Sequence, residues 1–142
     1  MDNVRINTGT KRIMINDDPS RVIEFNPEDV LFAERFYALI KVFDAEQVKY
    51  QARVDVIKAN EALDEHGIPM NTQETFELVK EACNFLRTKI DEVFGAGTSQ
   101  AAFGDAQTLG MFEQFFAGVI PLIQTVRNDK VAKYQRTTKT KK

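Results

Sequence analysis

Apolar residues in the first 25 positions recur with a period of two, which is typical of β-strands. Short apolar runs flank Asn7–Thr10 and Asn16–Ser20, two clusters of turn-forming residues. Residues 4–25 are therefore predicted to form a small antiparallel β meander of three short strands. Ile13 and Ile15 should share one face, and a sheet this small needs a helix packed against it for stability.

The apolar period changes to a helical one after Asn26. Asn26 can serve as the N-cap, and Pro27 suits the first helical position. A first helix is predicted over residues 27–66, with Gly67 as its stop. Its apolar stripe advances in steps of four and three residues, as in a coiled-coil seam, and becomes polar in its second half. We expect the first half to lie in the core and the second half to project as one arm of a hairpin.

A second helix is predicted over residues 72–94. Asn71 and Glu74 have the spacing of a capping box, and Gly95 ends the apolar pattern. Cys83 lies on the apolar stripe of this helix, which indicates a small core residue and not a nucleophile. The short loop between the first two helices predicts that they form an antiparallel pair.

A third helix is predicted over residues 106–134, after a loop in which a single helical turn is expected at 101–103. Its first half has little polar surface, as expected of a central helix buried on most sides. Pro121 should kink it or leave a carbonyl unpaired. These elements predict a mainly α fold of the α+β class, with a single globular domain over residues 1–126.

The composition fits one soluble domain with a real core, since the 142 residues are 43% hydrophobic and 28% charged. The first residues contain no apolar segment typical of a secretory signal, and no run is long enough to span a membrane. A cytoplasmic protein is therefore expected. The single cysteine and the single histidine, His66, exclude a disulfide framework and a multi-histidine metal centre.

Charge is distributed unevenly along the chain. Residues 127–142 carry seven basic residues against one acid, for a net charge of +6, whereas the whole chain has −2. This basic C-terminal tail has the composition of a segment that binds polyanions or acidic protein surfaces, or of a solvated terminus. Its basic residues are Arg127, Lys130, Lys133, Arg136, Lys139, Lys141 and Lys142.

The sequence contains no convincing catalytic grouping. His66 has no partner to complete a dyad or triad, and it is better explained by a position at a helix C-terminus. The segment 95–99 lacks the Gly-Lys-Ser/Thr ending of a phosphate loop and follows a helix where a strand is needed. The oxygen-rich stretch 16–18 lacks the remaining spacing of a calcium loop and indicates a turn. We therefore predict no enzymatic activity, no cofactor and no metal.

Four apolar residues of the third helix are the candidate binding surface. A phenylalanine-rich helix is commonly a core element, but this much aromatic area can also leave an apolar groove or an oligomer face. The second interpretation predicts that a client helix binds there. The candidate residues are Phe112, Phe115, Phe116 and Val119.

Six segments occur in an order that resembles a known family. They are Arg5–Ile13, Ile15–Asp18, Phe32–Tyr37, Lys89–Gly95, Phe103–Asp105 and Met111–Phe116. Together they resemble the tail assembly chaperones encoded by long-tailed phages and prophages of Gram-positive bacteria. The resemblance spans roughly residues 5–126 and includes no catalytic motif.

This resemblance implies a non-enzymatic role in the cytoplasm of a bacterial host. Proteins of that family bind the long tape measure protein, keep it soluble and promote the assembly of tail-tube subunits around it. The implied partners are the tape measure protein and the tail-tube subunits, with a homo-oligomer multiplying weak contacts along the client.

Two other functions compete with the chaperone hypothesis. A structural component of the virion tail or head–tail junction is one, although such proteins are usually richer in strands. A nucleic-acid-binding regulator that uses the basic tail is the other. It is disfavoured because the body is acidic and the isoelectric point is about 5.5.

Overall fold

Two strands and four helices make up the part of the chain that the structure describes. It is a computed structural model that describes residues 1–60 and 62–140, with side chains through residue 125. No helix within those ranges is long and apolar enough to cross a membrane. In chain order the elements are β1 (Lys11–Ile15), β2 (Asp18–Phe25), α1 (Val30–Lys58), α2 (Thr72–Phe94), α3 (Thr98–Phe103) and α4 (Gly110–Thr140).

The two strands form an antiparallel hairpin closed by Asn16 and Asp17. Both turn residues have positive φ, of 53° and 57°, as the tight hairpin turns with right-handed twist require. Ile13 pairs with Ile23, and the inner face of the hairpin buries Ile23 and Phe25. The face shared by Ile13 and Ile15 is confirmed. The turn predicted over Asn16–Ser20 is confirmed only at Asn16 and Asp17, since β2 begins at Asp18.

The first of the three predicted strands, expected at residues 4–6, is wrong, since the hairpin begins at Lys11. Lys11 pairs with Phe25 at the open end of the hairpin, and the chain before Lys11 is held by side chains and not by strand pairing. Asn26 donates from Nδ2 to the carbonyl of Thr8 at 2.7 Å. Gly9 lies so close to Glu28 that an added Cβ would be 1.7 Å from its Oε2. The predicted meander is therefore a two-stranded hairpin.

Helix α1 is shorter than the predicted 27–66. Its N-cap is Asp29, whose carboxylate accepts from the backbone N–H of Leu31 at 3.0 Å. Asn26 instead stabilises the turn before the helix, by accepting from the N–H of Glu28. The helix ends at Lys58, well before Gly67.

A closed loop replaces the last two predicted turns of α1. The carboxylate of Asp64 accepts from the backbone N–H groups of His66 and Ile68, at 2.8 and 2.9 Å. Leu63 and Pro69 form an antiparallel bridge across the loop. An aspartate that binds its own backbone competes with helix formation, which explains why the helical pattern does not continue here.

Helices α1 and α2 form the predicted antiparallel pair, and α2 has the predicted limits. Rings of Phe36 and Phe94 lie 5.9 Å apart near one end, and Arg53 pairs with Glu81 at 2.9 Å towards the other. The last buried residue of α1 is Phe43. The second half of α1 therefore projects from the core together with the start of α2, as predicted.

Asn71 stands at the N-cap position of α2, but its side chain does not cap that helix. Its Nδ2 donates to the carbonyls of Ile57 and Asn60, at 2.8 and 3.0 Å. The predicted capping box is wrong because this amide satisfies the carbonyl end of α1 instead. One side chain thus joins the two helices of the pair.

Helix α3 is an additional helix where one turn within a loop was predicted, so the protein has four helices in its described part and not three. Its N-terminus binds the carboxylate of Asp91, which accepts from the N–H and the hydroxyl of Ser99 at 2.8 and 3.0 Å. Arg21 donates to the carbonyl of Ala101 at 2.9 Å and to that of Ala102. Opposite charges thus complement both ends of this short helix.

Helix α4 packs its first half against α1, α2 and α3 and begins four residues later than predicted. Among the residues whose side chains are described, the buried core extends from Ile23 to Ile123. Pro121 lies within α4, exposed, and the helix continues past it to Thr140. Most of the predicted basic tail is therefore helical in its backbone, while its side chains and Lys141 and Lys142 lie outside the described residues.

Candidate functional site

The four residues predicted to bind a client are core residues. Phe112 and Val119 have 0% and 2% of their surface exposed, and Phe115 and Phe116 have 8% and 3%. Phe116 packs on Phe43 with ring centroids 4.9 Å apart, so it joins α4 to α1. These side chains are buried because the aromatic side of α4 holds the helices together. Client binding by these four residues stays a prediction.

Two of the four nevertheless line a groove beside the hairpin. We call this the hairpin groove: a concave region of about 540 Å³ between β1, the end of α3 and the first half of α4. Phe103, Phe115 and Val119 contribute aromatic and aliphatic surface to it, and β1 contributes Ile13 and Ile15. Phe112 and Phe116 do not line it.

Charge is nearly absent from the hairpin groove. Arg21 is the one charged residue among the described residues that line it, and two carbonyls of α3 already accept its hydrogen bonds. The neutral polar residues of the lining are Asn16, Thr108 and Gln114. Such a lining favours an apolar ligand bordered by a few polar contacts.

Methionine and glycine give the hairpin groove room and adaptability. Met14 has 55% of its surface exposed, and it lines the groove together with Met111. Unbranched methionine side chains adapt to differently shaped apolar partners. Gly118 lies on the α4 side of the groove, and a Cβ built on it meets nothing within 4 Å.

A second groove lies on the projecting part of the α1–α2 pair. We call residues 44–81 the arm, and the arm groove is a region of about 560 Å³ between its two helices. Ala52, Val56 and Leu78 supply apolar lining, and Glu74 and Glu77 lie at its α2 side. Val56 is 75% exposed and Phe76, also on the arm, is 56% exposed. Sequence reasoning indicated the projecting arm but not this groove.

Two acids of the arm, Glu77 and Glu81, have pKa values lowered by their partners. A hydrogen bond and the charge of Arg53 lower the pKa of Glu81. Lys80, at 2.8 Å, lowers that of Glu77, with a further contribution from Gln73. These carboxylates therefore remain ionised at neutral pH.

The residues considered for chemistry lie apart from one another. His66 is exposed in the loop between α1 and α2, 3.5 Å from its neighbour Glu65, and not at a helix C-terminus as predicted. Cys83 is fully buried, and burial raises the pKa of its thiol. Within the described residues, no three His, Cys, Asp or Glu side chains group in a way that could hold a metal ion.

Sequence reasoning missed two arginines, Arg21 and Arg87, that hold the backbone around the hairpin groove. Arg21 does so through its hydrogen bonds to α3. Arg87 donates to the carbonyl of Gly104 at 2.8 Å and to that of Ala106, and its guanidinium lies 5.5 Å from the ring centroid of Phe103. It thereby fixes the loop that leads from α3 into α4. A lone arginine on a helix gives no sequence signal of such backbone partners, so this role emerges only from the fold.

Comparison with known proteins places the chain in a family. Residues 20–142 match a family of unknown function, DUF6673, and the chain belongs to that family. No curated protein matches the chain. No solved structure matches it either.

Proposed function

We propose that the protein is a non-enzymatic tail assembly chaperone that binds the tape measure protein in the cytoplasm of a bacterial host. The observation that carries the proposal is the hairpin groove, a concavity of mixed apolar and polar lining whose only charged residue among those described, Arg21, is already hydrogen-bonded. The resemblance of residues 5–126 to tail assembly chaperones supports the same client.

The chemistry of the groove suits a client of this kind. A tape measure protein, long and largely helical, exposes apolar stripes until tail-tube subunits cover them. An apolar groove can shield one segment of such a stripe by the helix-in-groove mode. Binding without charged anchors is reversible and tolerant of sequence, which a chaperone of a repetitive client requires.

The first test is co-expression with the tape measure protein of the same gene cluster, followed by pull-down and a solubility assay. The variant should block the groove and leave the core intact. Phe115→Asp does not qualify, because it would place a charge in the core. Gly118→Leu does, because it adds a side chain on the groove side of α4 where a Cβ has free space.

Gly110→Leu is the matched control. Gly110 also lies in α4 with nothing within 4 Å of an added Cβ, but it does not line the groove. We expect the wild type and Gly110→Leu to solubilise and retain the client, and Gly118→Leu to lose at least about tenfold in affinity through steric exclusion. A client that stays insoluble beside folded wild-type protein would refute the proposal. Recovery of the protein from purified virions would favour a structural component instead.

A further inference from the structure

The arm and the basic tail have complementary charge. By sequence, residues 44–81 hold nine acids and four bases, for a net charge of −5, and residues 127–142 have +6. Among the described residues of the arm, two of its acids form ion pairs with Lys or Arg, Glu81 with Arg53 and Glu77 with Lys80. The arm therefore keeps a negative excess that its own bases do not neutralise.

The arm groove has the features of a site for a basic amphipathic helix. It combines the apolar side chains of Ala52, Val56 and Leu78 with the carboxylates of Glu74 and Glu77 along α2. Arg53 also lines it, and its charge is paired with Glu81 at 2.9 Å. The exposed valines Val48 and Val56 are eight residues apart, with Ala52 between them, so all three share one side of α1. An apolar strip bordered by acids favours a helix that carries both apolar and basic residues.

The second half of α4 has that composition. Its backbone is helical to Thr140. By sequence, the basic residues of 127–139 are interspersed with Val131 and Tyr134, and Asp129 is the only acid. Residues 124–140 extend the helix by about 25 Å beyond Ile123, the last buried residue among those whose side chains are described, at about 1.5 Å per residue.

The course of α4 separates this helix from the arm of its own copy. Leu109, just before α4, shares a small cavity with Gln47 and Tyr50 near the base of the arm. Phe116, further along, packs on Phe43 and Phe36, with centroid distances of 4.9 and 6.2 Å. α4 therefore runs back along α1 towards the start of that helix, and its continuation leads away from the arm.

We propose that the basic second half of α4 docks in the arm groove of a second copy of this chain. Because the donor and acceptor surfaces differ and lead in opposite directions from the core, the contact can repeat head-to-tail, and copies can add one after another into a ring or an open filament. This assembly uses the arm and not the hairpin groove, so its test is independent of the test for client binding. Its expected signature is association that weakens as salt concentration increases.

The test uses two charge-neutralised variants of the full chain, followed by analytical ultracentrifugation at several protein and salt concentrations. The arm variant is Glu74→Gln with Glu77→Gln, and the helix variant is Lys133→Gln with Arg136→Gln. The wild type should form species larger than 16.2 kDa at low salt and dissociate at high salt. Each variant alone should associate at least about tenfold more weakly.

Mixing the two variants gives the decisive readout. The arm variant still has a normal helix, and the helix variant still has a normal arm, so one productive contact remains. An equimolar mixture should therefore form a 1:1 dimer that does not grow further. A self-complementary contact, in which both copies use the same surface, would not give this result.

A matched control tests whether net charge alone is responsible. Glu34→Gln with Glu113→Gln makes the same charge change as the arm variant at two exposed positions outside the arm, and this variant should assemble like the wild type. A monomeric wild type at all concentrations overturns the proposal, as does a mixture of the two variants that stays monomeric. Equal loss of assembly in the control variant overturns it as well.

Discussion

Cys83 lies in the middle of the α2 stripe and has no exposed surface. Burial raises the pKa of its thiol, and the positive charge of Arg87 opposes that shift more weakly. Both the inaccessible position and the disfavoured thiolate suppress reaction with thiol reagents. The residue therefore acts as a small apolar side chain.

The expected outcome is a native thiol that reacts only when the protein opens. Labelling with a thiol-reactive chromogenic disulfide should be at least about 100-fold slower in the native protein than in denaturant. The rate in native buffer should increase with added urea below the unfolding midpoint. Fast stoichiometric labelling without denaturant would contradict the buried placement.

At the scale of elements, the short helix α3 depends on groups from elsewhere in the chain. A six-residue helix is not stable alone, because nucleation costs more than so few hydrogen bonds return. Asp91 binds its first turn, and Arg21 binds two of its last carbonyls. Ala102 and Phe103 of this helix line the hairpin groove, so the groove depends on the position of α3.

Asp91→Ala should destabilise the protein by about 1–2 kcal/mol, because it removes two hydrogen bonds at an N-terminus of a helix. The free energy of unfolding from urea titration measures this loss. Ser99→Ala removes the hydroxyl that bonds the same carboxylate. The double variant should cost less than the sum of the two single variants, since both act on one pair. Additive losses would show that the two residues act separately.

The helices α1, α2 and α3 show which parts of the fold can be predicted from the sequence. Helix α2 has a strong stripe and a glycine stop, and its limits were predicted correctly. The end of α1 was not, because Asp64 bonds backbone groups that a helix would use. α3 was not, because it is stabilised by residues up to about eighty positions away, which local patterns do not reveal.

The candidate site was predictable to a similar extent. The phenylalanine-rich α4 contributes to the core as predicted, but it is not buried on most sides, since Glu113, Ala117 and Pro121 are exposed. Periodicity alone does not distinguish a helix side that faces the core from one that lines a groove. Phe115 and Val119 do both, since they are buried and line the hairpin groove. The arm groove requires the relative position of two helices, which no single segment encodes.

At the scale of the whole molecule, acid should weaken the fold through several carboxylates together. Native contacts lower the pKa of Asp18, through hydrogen bonds from Ser20, and the pKa values of Glu77 and Glu81 through their basic partners. A carboxyl whose pKa is lower in the folded state stabilises the fold above its unfolded pKa. That contribution is lost as pH falls through the folded value.

We therefore expect the contribution of these carboxyls to be constant near neutral pH and to decline below the ordinary values of 4.5 for Glu and 3.8 for Asp. A triple variant, Asp18→Asn with Glu77→Gln and Glu81→Gln, lacks these three groups. It should be less stable than the wild type at pH 7, and its stability should decline less steeply with acid. Urea titrations across the pH range measure both, and identical slopes would contradict the assignment.

The hydrogen bonds between Arg21 and α3 have a consequence for synthesis of the chain. The donor and acceptor residues are separated by 80 and 81 positions. At about 5–20 residues per second, the ribosome needs roughly 4–16 s to make that interval. During this time the hairpin has no α3 to pack on, and a two-stranded hairpin alone is marginally stable. The N-terminal strands are therefore synthesised first but reach their native packing late. Until the second half of the protein has been synthesised, the apolar face of β2 remains uncovered on the nascent chain.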